Sequence, residues 1–333
     1  MKFVIYPAVE EERLKKIQDV AGSMQVANCA DEASAEHEIV EADGFFGKLT
    51  PPMLAAATKL RWVQSPTASL EHYVFPELVR HPCELTNMRG LYGDVIADHV
   101  FGYVLCFARN LHRYIRQQLN EQWGGIGGEA GRSDFIAGPG VVSGMDRAHL
   151  HMSDCTLGVI GLGAIGAEIA RRGLSFGMRV VAVDPVQTEA PEGVEALWSA
   201  GEVNNLLETS DFVVMAAPHT PETEGWFRRA QFRAMKSSAY FINIGRGAIV
   251  SLDDLCDALD AGDIAGAGLD VYEIEPLPKG HRLWKMENVI MTPHVAACSV
   301  HIARRHLGVV VENVGRFVRG EPLTNVANKE KWY

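Results

Sequence analysis

The stretch that most restricts what this chain can fold into lies at residues 155–184. Cys155-Thr156-Leu157-Gly158-Val159-Ile160 is a largely apolar run of strand length, and it passes straight into Gly161-Leu162-Gly163-Ala164-Ile165-Gly166. Residues 167–176 then read as a helix and 178–183 as a second strand, which ends on Asp184, 184 − 166 = 18 residues beyond the last glycine. A bare G-x-G-x-x-G recurs by chance. The full order of strand, glycine turn, helix, strand and carboxylate is that of a βαβ unit that binds a dinucleotide. Gly161 permits the tight turn, Gly163 lets backbone approach a pyrophosphate, and Gly166 lets the helix pack on the strand. The helix start at Ala164 and Ile165 offers N–H donors and the positive end of the helix dipole. Asp184 would accept hydrogen bonds from ribose hydroxyls and repel a 2′-phosphate. No Arg or Lys follows it through Val186-Gln187-Thr188, so the expected cofactor is NAD rather than NADP.

The rest of the chain keeps the same rhythm. Residues 3–6, 25–27, 44–46 and 62–64 read as strands separated by helices, one of them started by Thr50 as N-cap with Pro51 in its first turn. Beyond Asp184, residues 212–216, 239–243, 264–270 and 289–292 continue the alternation, for six or seven strands over residues 155–293. Alternating strands and helices predict parallel sheets covered on both faces. Their ligands belong at the carboxyl ends of the strands, here near Ala217-Pro218, Asn243 and Asp270. From Asp94 to Gln122 the apolar residues Val95, Ile96, Val100, Tyr103, Val104, Phe107 and Leu111 recur at helical spacing and predict one helix of about 25 residues. Residues 123–151, with Gly124, Gly125, Gly127, Gly128, Gly131, Gly138, Gly140 and Gly144, lack periodicity and read as a loop or arm inserted into the fold.

Composition narrows the function classes. The chain's 333 residues suggest about two domains. Its 31 Lys and Arg against 42 Asp and Glu leave a formal charge of −11, which argues against a nucleic-acid surface or a polybasic membrane patch. An anionic substrate therefore needs cations placed for it locally. The apolar run at Phe3-Val4-Ile5 is too short for a signal segment or a membrane span. The cysteines at 29, 83, 106, 155, 256 and 298 form no C-x-x-C pair and no zinc spacing, so no metal is expected and a reduced cytoplasmic compartment fits best.

Three charged groups stand at or just past the predicted strand ends. Arg246 lies in Asn243-Ile244-Gly245-Arg246-Gly247, Glu275 in Asp270-Val271-Tyr272-Glu273-Ile274-Glu275-Pro276, and His294 in Thr292-Pro293-His294. Singly, each has a structural explanation; together they predict convergence on one crevice. These motifs, in this order, resemble the D-isomer-specific 2-hydroxyacid dehydrogenase family, which carries N-x-x-R-G, D-V-x-x-x-E-P and T-P-H. The separations, 275 − 246 = 29 and 294 − 275 = 19, are family-like. Ala217-Pro218-His219-Thr220-Pro221-Glu222-Thr223 resembles the family's L-P-L-T-P-E-T segment with His219 in place of Leu. Asn87-Met88-Arg89-Gly90 with Ala97-Asp98-His99 resembles N-x-x-G…A-E-H, with Asp98 shortened from Glu. Trp284, in Arg282-Leu283-Trp284, resembles a segment of glyoxylate/hydroxypyruvate reductase-like members.

The resemblance implies an α/β protein of two Rossmann-like, doubly wound parallel-sheet domains. A discontinuous flavodoxin-like lid (1–97 plus 298–333) would flank an inserted NAD domain (98–297), with substrate and cofactor in the crevice and closure excluding water. It implies NAD-dependent interconversion of a 2-oxoacid and a D-2-hydroxyacid. His294 is the acid and base, Glu275 fixes its tautomer and raises its pKa, and Arg246 grips the substrate carboxylate. Ala217, Pro218, Thr223, Ile244 and Asp270 join the glycine motif and Asp184 around the cofactor, with Asp270 orienting the nicotinamide carboxamide. The substrate loop falls at Thr67, Ala68 and Ser69, where the family commonly has a glycine and this chain has none; Tyr92 is a candidate pocket wall. A homodimer is implied, and residues 123–151 would either extend its arm or cover a neighbouring site. His99, His301 and His306 read as structural. An NAD(H)-binding sensor or corepressor-like scaffold is the alternative, since fold alone does not imply turnover, but it has no use for the Arg246, Glu275 and His294 set. A formate-type enzyme typically pairs its histidine with Gln, where this chain has Glu275.

Overall fold

The computed structural model describes residues 1–128 and 142–333. They divide into two compact units, Met1–Tyr92 with His219–Pro221 and Ser299–Tyr333, and Gly93–Pro218 with Glu222–Cys298. The first crossing thus comes at 92/93, where the sequence reading put it at 97/98. The reason is steric: a Cβ on Gly93 would lie 3.0 Å from the Ala164 carbonyl, so the helix starting there belongs with the glycine motif from its first residue.

The first unit contains strands β1 (Lys2–Tyr6), β2 (Gln25–Asn28), β3 (Gly44–Gly47), β4 (Trp62–Gln64) and β5 (Glu84–Thr86), all parallel in the order β2-β1-β3-β4-β5. This is the flavodoxin-like order. β5, Glu84-Leu85-Thr86, has no apolar β-branched residue to mark it in the sequence. Phe3 stacks on Trp62 at 5.1 Å, and Gly44 makes this possible, since a Cβ there would come 2.9 Å from the Phe3 ring. Val310 and Val314 of the helix Ile302–Arg319 are buried in the same cluster, and Val326 then bridges antiparallel to Thr86. The first unit is therefore built from both ends of the chain.

The second unit contains β6 (Thr156–Ile160), β7 (Arg179–Val183), β8 (Ala196–Trp198), β9 (Phe212–Met215), β10 (Tyr240–Asn243), β11 (Gly266–Leu269) and β12 (Val289–Met291). They form a seven-stranded parallel sheet in the order β12-β11-β10-β9-β6-β7-β8. Strand order reverses between β6 and β9, the topological switch point at which open α/β sheets bind ligands. β6 and β9 are buried along their whole lengths, which is why they read as continuous apolar runs.

Two expectations are corrected. The single long helix is two, Gly93–Ala108 and Leu111–Leu119. Asn110 between them takes a left-handed φ of 54° and donates from Nδ2 to the Ala148 carbonyl at 2.6 Å, so a turn interrupts an apolar period that continues across it. The glycine-rich stretch is not wholly irregular either. Gly144–Ala148 is a short helix, with Ser143 and Asp146 forming its capping box. A Cβ on Gly127 would lie 2.2 Å from the Gly144 carbonyl, so these two glycines let backbone meet backbone. Gly131, Gly138 and Gly140 lie outside the described residues. Among the described residues no helix is long and apolar enough to cross a membrane.

Candidate active site

The glycine turn follows β6 at the switch point. Gly161 has φ 92°, and a Cβ there would come within 2.8 Å of the Ala217 backbone, which follows β9. A Cβ on Gly166 would lie 1.9 Å from the Gly161 carbonyl. A Cβ on Gly163, by contrast, would meet nothing within 4 Å, so this glycine leaves open the approach that a diphosphate requires. Gly163 is also the N-cap of the helix Ala164–Ser175 and supplies no side-chain cap to its first N–H groups. Asp184, one residue past β7, accepts from Leu162 N at 2.7 Å through Oδ2 and from Val186 N and Gln187 N at 2.8 and 2.9 Å through Oδ1. These residues fit a dinucleotide: an open backbone cradle, an uncapped helix start and an oriented carboxylate. Ala217 and Ile244 are buried beside them, and Thr223 closes its loop by donating to the Pro218 carbonyl at 2.8 Å.

Arg246 leads the turn after β10. Asn243, 1% exposed, shapes that turn, since Oδ1 accepts from Gly245 N at 3.1 Å and Nδ2 donates to the Arg246 carbonyl at 3.3 Å. Arg246 Nη1 donates to the Gly245 carbonyl at 2.7 Å, which fixes the direction of the guanidinium. A Cβ on Gly247 would lie 1.8 Å from the Tyr272 carbonyl, so only glycine lets the Arg246 turn touch the segment leading to Glu275. The motif in the sequence marks Asn243 without showing that its side chain shapes the turn.

Glu275 Oε2 and His294 Nδ1 are 2.7 Å apart, and Glu275 Oε1 accepts from Tyr272 N at 2.9 Å. Both carboxylate oxygens are therefore directed, and the carboxylate in turn makes Nδ1 the proton-bearing ring nitrogen on that side. His294 has φ 55°, left-handed and unfavourable for a residue with a Cβ by roughly 1–2 kcal/mol. Asp270, at the end of β11 and 2% exposed, holds this conformation. Its carbonyl accepts from His294 N, Oδ1 from Val295 N and Oδ2 from Ala296 N, each at 2.9 Å. Thr292 Oγ1 donates to Oδ1 at 2.6 Å as well. A carboxylate offers about four acceptor positions, and these three donors leave one on Oδ2 for the amide contact expected of Asp270.

Thr67, Ala68 and Ser69 belong to the first unit, in the loop after β4. Their carbonyls are anchored in succession. His306 Nε2 donates to Pro66 O at 3.0 Å, Met88 N to Thr67 O at 3.0 Å, Asn87 Nδ2 to Ala68 O at 2.8 Å and Thr67 Oγ1 to Ser69 O at 2.6 Å. These bonds fix the loop without a glycine in it. Tyr92, half-buried, packs on the cluster of Phe3 and Trp62, and burial pushes its phenol above the ordinary value.

Comparison with known proteins follows the same lines. The family model for "D-isomer specific 2-hydroxyacid dehydrogenase, NAD binding domain" matches residues 101–296. A glyoxylate reductase of Korarchaeum cryptofilum is 33% identical over 97% of this chain and 94% of its own. The Homo sapiens glyoxylate reductase/hydroxypyruvate reductase is 31% identical over 81% of this chain and 77% of its own. The crystal structure of an NADPH-dependent glyoxylate/hydroxypyruvate reductase from Sinorhizobium meliloti, in complex with NADP and sulfate, is 28% identical and superposes with a TM-score of 0.80 over 100% of this chain and 99% of that one.

Proposed function

Because the chain belongs to the D-isomer specific 2-hydroxyacid dehydrogenase family and is an NAD(P)-dependent 2-hydroxyacid oxidoreductase, we propose that it works chiefly as an NADH-dependent reductase of small 2-oxoacids of the glyoxylate and hydroxypyruvate type. The observation that carries this reading is the His294–Glu275 pair at 2.7 Å, on a loop braced by Asp270. A dihydronicotinamide held by the glycine turn and Asp270 would supply the hydride for the keto carbon. His294 gives its Nε2 proton to the carbonyl oxygen in reduction and removes it in oxidation, while Glu275 holds the ring through Nδ1. Arg246 takes the substrate carboxylate in a planar, two-point grip. The Ala68 and Ser69 amides are proposed as further carboxylate donors, with Thr67 and Tyr92 lining the substrate. The test is NADH consumption with glyoxylate, hydroxypyruvate, pyruvate and bulkier 2-oxoacids. A folded protein that turns over none of them rejects the reading.

NAD is proposed over NADP because Asp184 is held by three backbone amides as an oriented carboxylate, where a 2′-phosphate meets like charge. Replacing it, Asp184→Ala, is expected to improve the NADPH-to-NADH ratio of kcat/KM by about tenfold or more, an effect of roughly 1.4 kcal/mol. Steady-state kinetics with both cofactors checks this. A wild-type enzyme that prefers NADPH would overturn it.

A homodimer in the reducing cytoplasm completes the proposal. The described cysteines are all free thiols. On the helix Leu111–Leu119 the residues Leu111, Ile115 and Leu119 recur every fourth position and are 44, 54 and 79% exposed. A contiguous apolar face of this kind is what a second copy would cover. Ile115→Glu is expected to convert the dimer to monomer at micromolar concentration, as read by sedimentation velocity.

A further inference from the structure

We propose that His99 and Tyr103, on the helix Gly93–Ala108, are positioning residues that act through Thr292 and Asp270 to hold His294 in its proton-transfer conformation. The inference rests on the reading of His294 as the acid and base of the reaction. Neither side chain belongs to a motif with an assigned task, and the sequence gives no reason to join them to residues nearly two hundred positions away.

The hydrogen bonds form a directed chain. The Asp270 carboxylate only accepts, so Thr292 Oγ1 uses its one proton on Oδ1, at 2.6 Å. The Tyr103 hydroxyl touches Thr292 Oγ1 and lies 3.1 Å from the Leu269 carbonyl, so its one proton is directed towards these two acceptors. His99 Nε2 is 3.0 Å from both Tyr103 Oη and Thr292 Oγ1. With both hydroxyl protons directed elsewhere, Nε2 must carry the proton and act as donor. The chain thus runs from His99 through the two hydroxyls to Asp270, whose oxygens hold Val295 N and Ala296 N and whose carbonyl holds His294 N.

Packing supports this direction. A Cβ on Gly268 of β11 would lie 2.9 Å from the Tyr103 ring, so the strand carries a glycine where the ring crosses it. The His99 and Tyr103 rings meet edge to face at 4.8 Å. Tyr272 Oη donates to the Leu269 and Thr292 carbonyls at 3.1 and 3.0 Å, tying the same two strand ends together. Burial pushes the Tyr103 phenol well above its ordinary value, which keeps it a donor. Asp270 therefore sits at the end of a directed set of donors, and the left-handed His294 is its output.

The test compares wild type with His99→Leu, His99→Gln, Tyr103→Phe and His294→Gln. His99→Leu removes the donor, His99→Gln supplies an amide N–H of similar reach, and Tyr103→Phe keeps the ring against Gly268 while removing the hydroxyl. Single-turnover rates with glyoxylate, oxoacid KM and NADH Kd by nicotinamide fluorescence are measured for each. His99→Leu and Tyr103→Phe are expected to lower the single-turnover rate about tenfold, the effect of one lost hydrogen bond in a charged network. His99→Gln is expected to recover most of that rate, with KM and NADH Kd staying within about twofold of wild type throughout, because Arg246, the glycine turn and the open position on Asp270 Oδ2, opposite the Thr292 bond to Oδ1, are untouched. A wild-type rate in His99→Leu and Tyr103→Phe overturns the inference, as does a loss confined to NADH Kd or one that His99→Gln does not restore. If His99→Leu fails to fold, Tyr103→Phe decides by the same rate and Kd criteria. His294→Gln separates the two levels. If it turns over like wild type, the acid–base reading itself fails. If it is inactive while His99→Leu and Tyr103→Phe are normal, only the positioning inference fails.

Discussion

Replacing Arg246 by alanine is expected to lower kcat/KM for the 2-oxoacid several hundredfold, the equivalent of about 3–4 kcal/mol of preorganised electrostatic stabilisation. The formal charge of −11 means that the protein's overall field does not gather anionic substrates, so the grip on the carboxylate is local. The guanidinium reaches it already directed. One N–H is used on the Gly245 carbonyl at 2.7 Å, and Asn243 holds both sides of the turn. Arg246→Lys should recover only about a tenth of the lost activity, because an ammonium cannot reproduce the planar two-point contact. The Asn243 side chain and Gly247 hold the backbone of the turn without using the Arg246 side chain, so the alanine variant should fold and bind NADH normally. Steady-state kinetics with an NADH binding control measures this. An Arg246→Ala enzyme within tenfold of wild type would remove Arg246 from the proposed role.

His294→Gln is expected to lower kcat about a thousandfold, within the range that a positioned acid–base group contributes. Glutamine retains polar atoms near Glu275 but carries no proton that it can exchange near neutral pH. The loop backbone should persist, since its amides are held by Asp270 and not by the imidazole. NADH affinity should stay close to wild type, and oxoacid KM should change far less than kcat. Glu275→Gln, which keeps a partner for Nδ1 but loses the charge, should fall between the two. Stopped-flow measurement of NADH absorbance after mixing with glyoxylate separates chemistry from release. A His294→Gln burst as fast as wild type would exclude His294 as the proton donor.

Much of the second unit was legible in the sequence because its signals are local. The β6 run, the glycine turn and Asp184 lie within thirty residues, and each glycine has a steric reason that holds in a βαβ unit of any origin. Arg246, Glu275 and His294 were legible as motifs at or just past strand ends, and Glu275 Oε2 lies 2.7 Å from His294 Nδ1. What escaped was of two kinds. β5 (Glu84-Leu85-Thr86) and β8 (Ala196-Leu197-Trp198) are short and lack the apolar β-branched residues that mark β4 and β12. The break at Asn110 was hidden because the apolar spacing continues into Leu111 while the chain turns on a single left-handed residue.

Parallel α/β layers, the place of the dinucleotide turn and three charged residues just past strand ends can all be read along the chain, because strand burial, glycine sterics and helix starts are written in neighbouring residues. How those charged residues are held emerges from packing between distant segments. Gly268 admits the Tyr103 ring, Gly247 meets Tyr272, and Asp270 gathers three donors around a left-handed His294. Such contacts join residues far apart in the chain at distances where one methyl group decides the outcome, and no periodicity along the sequence records them.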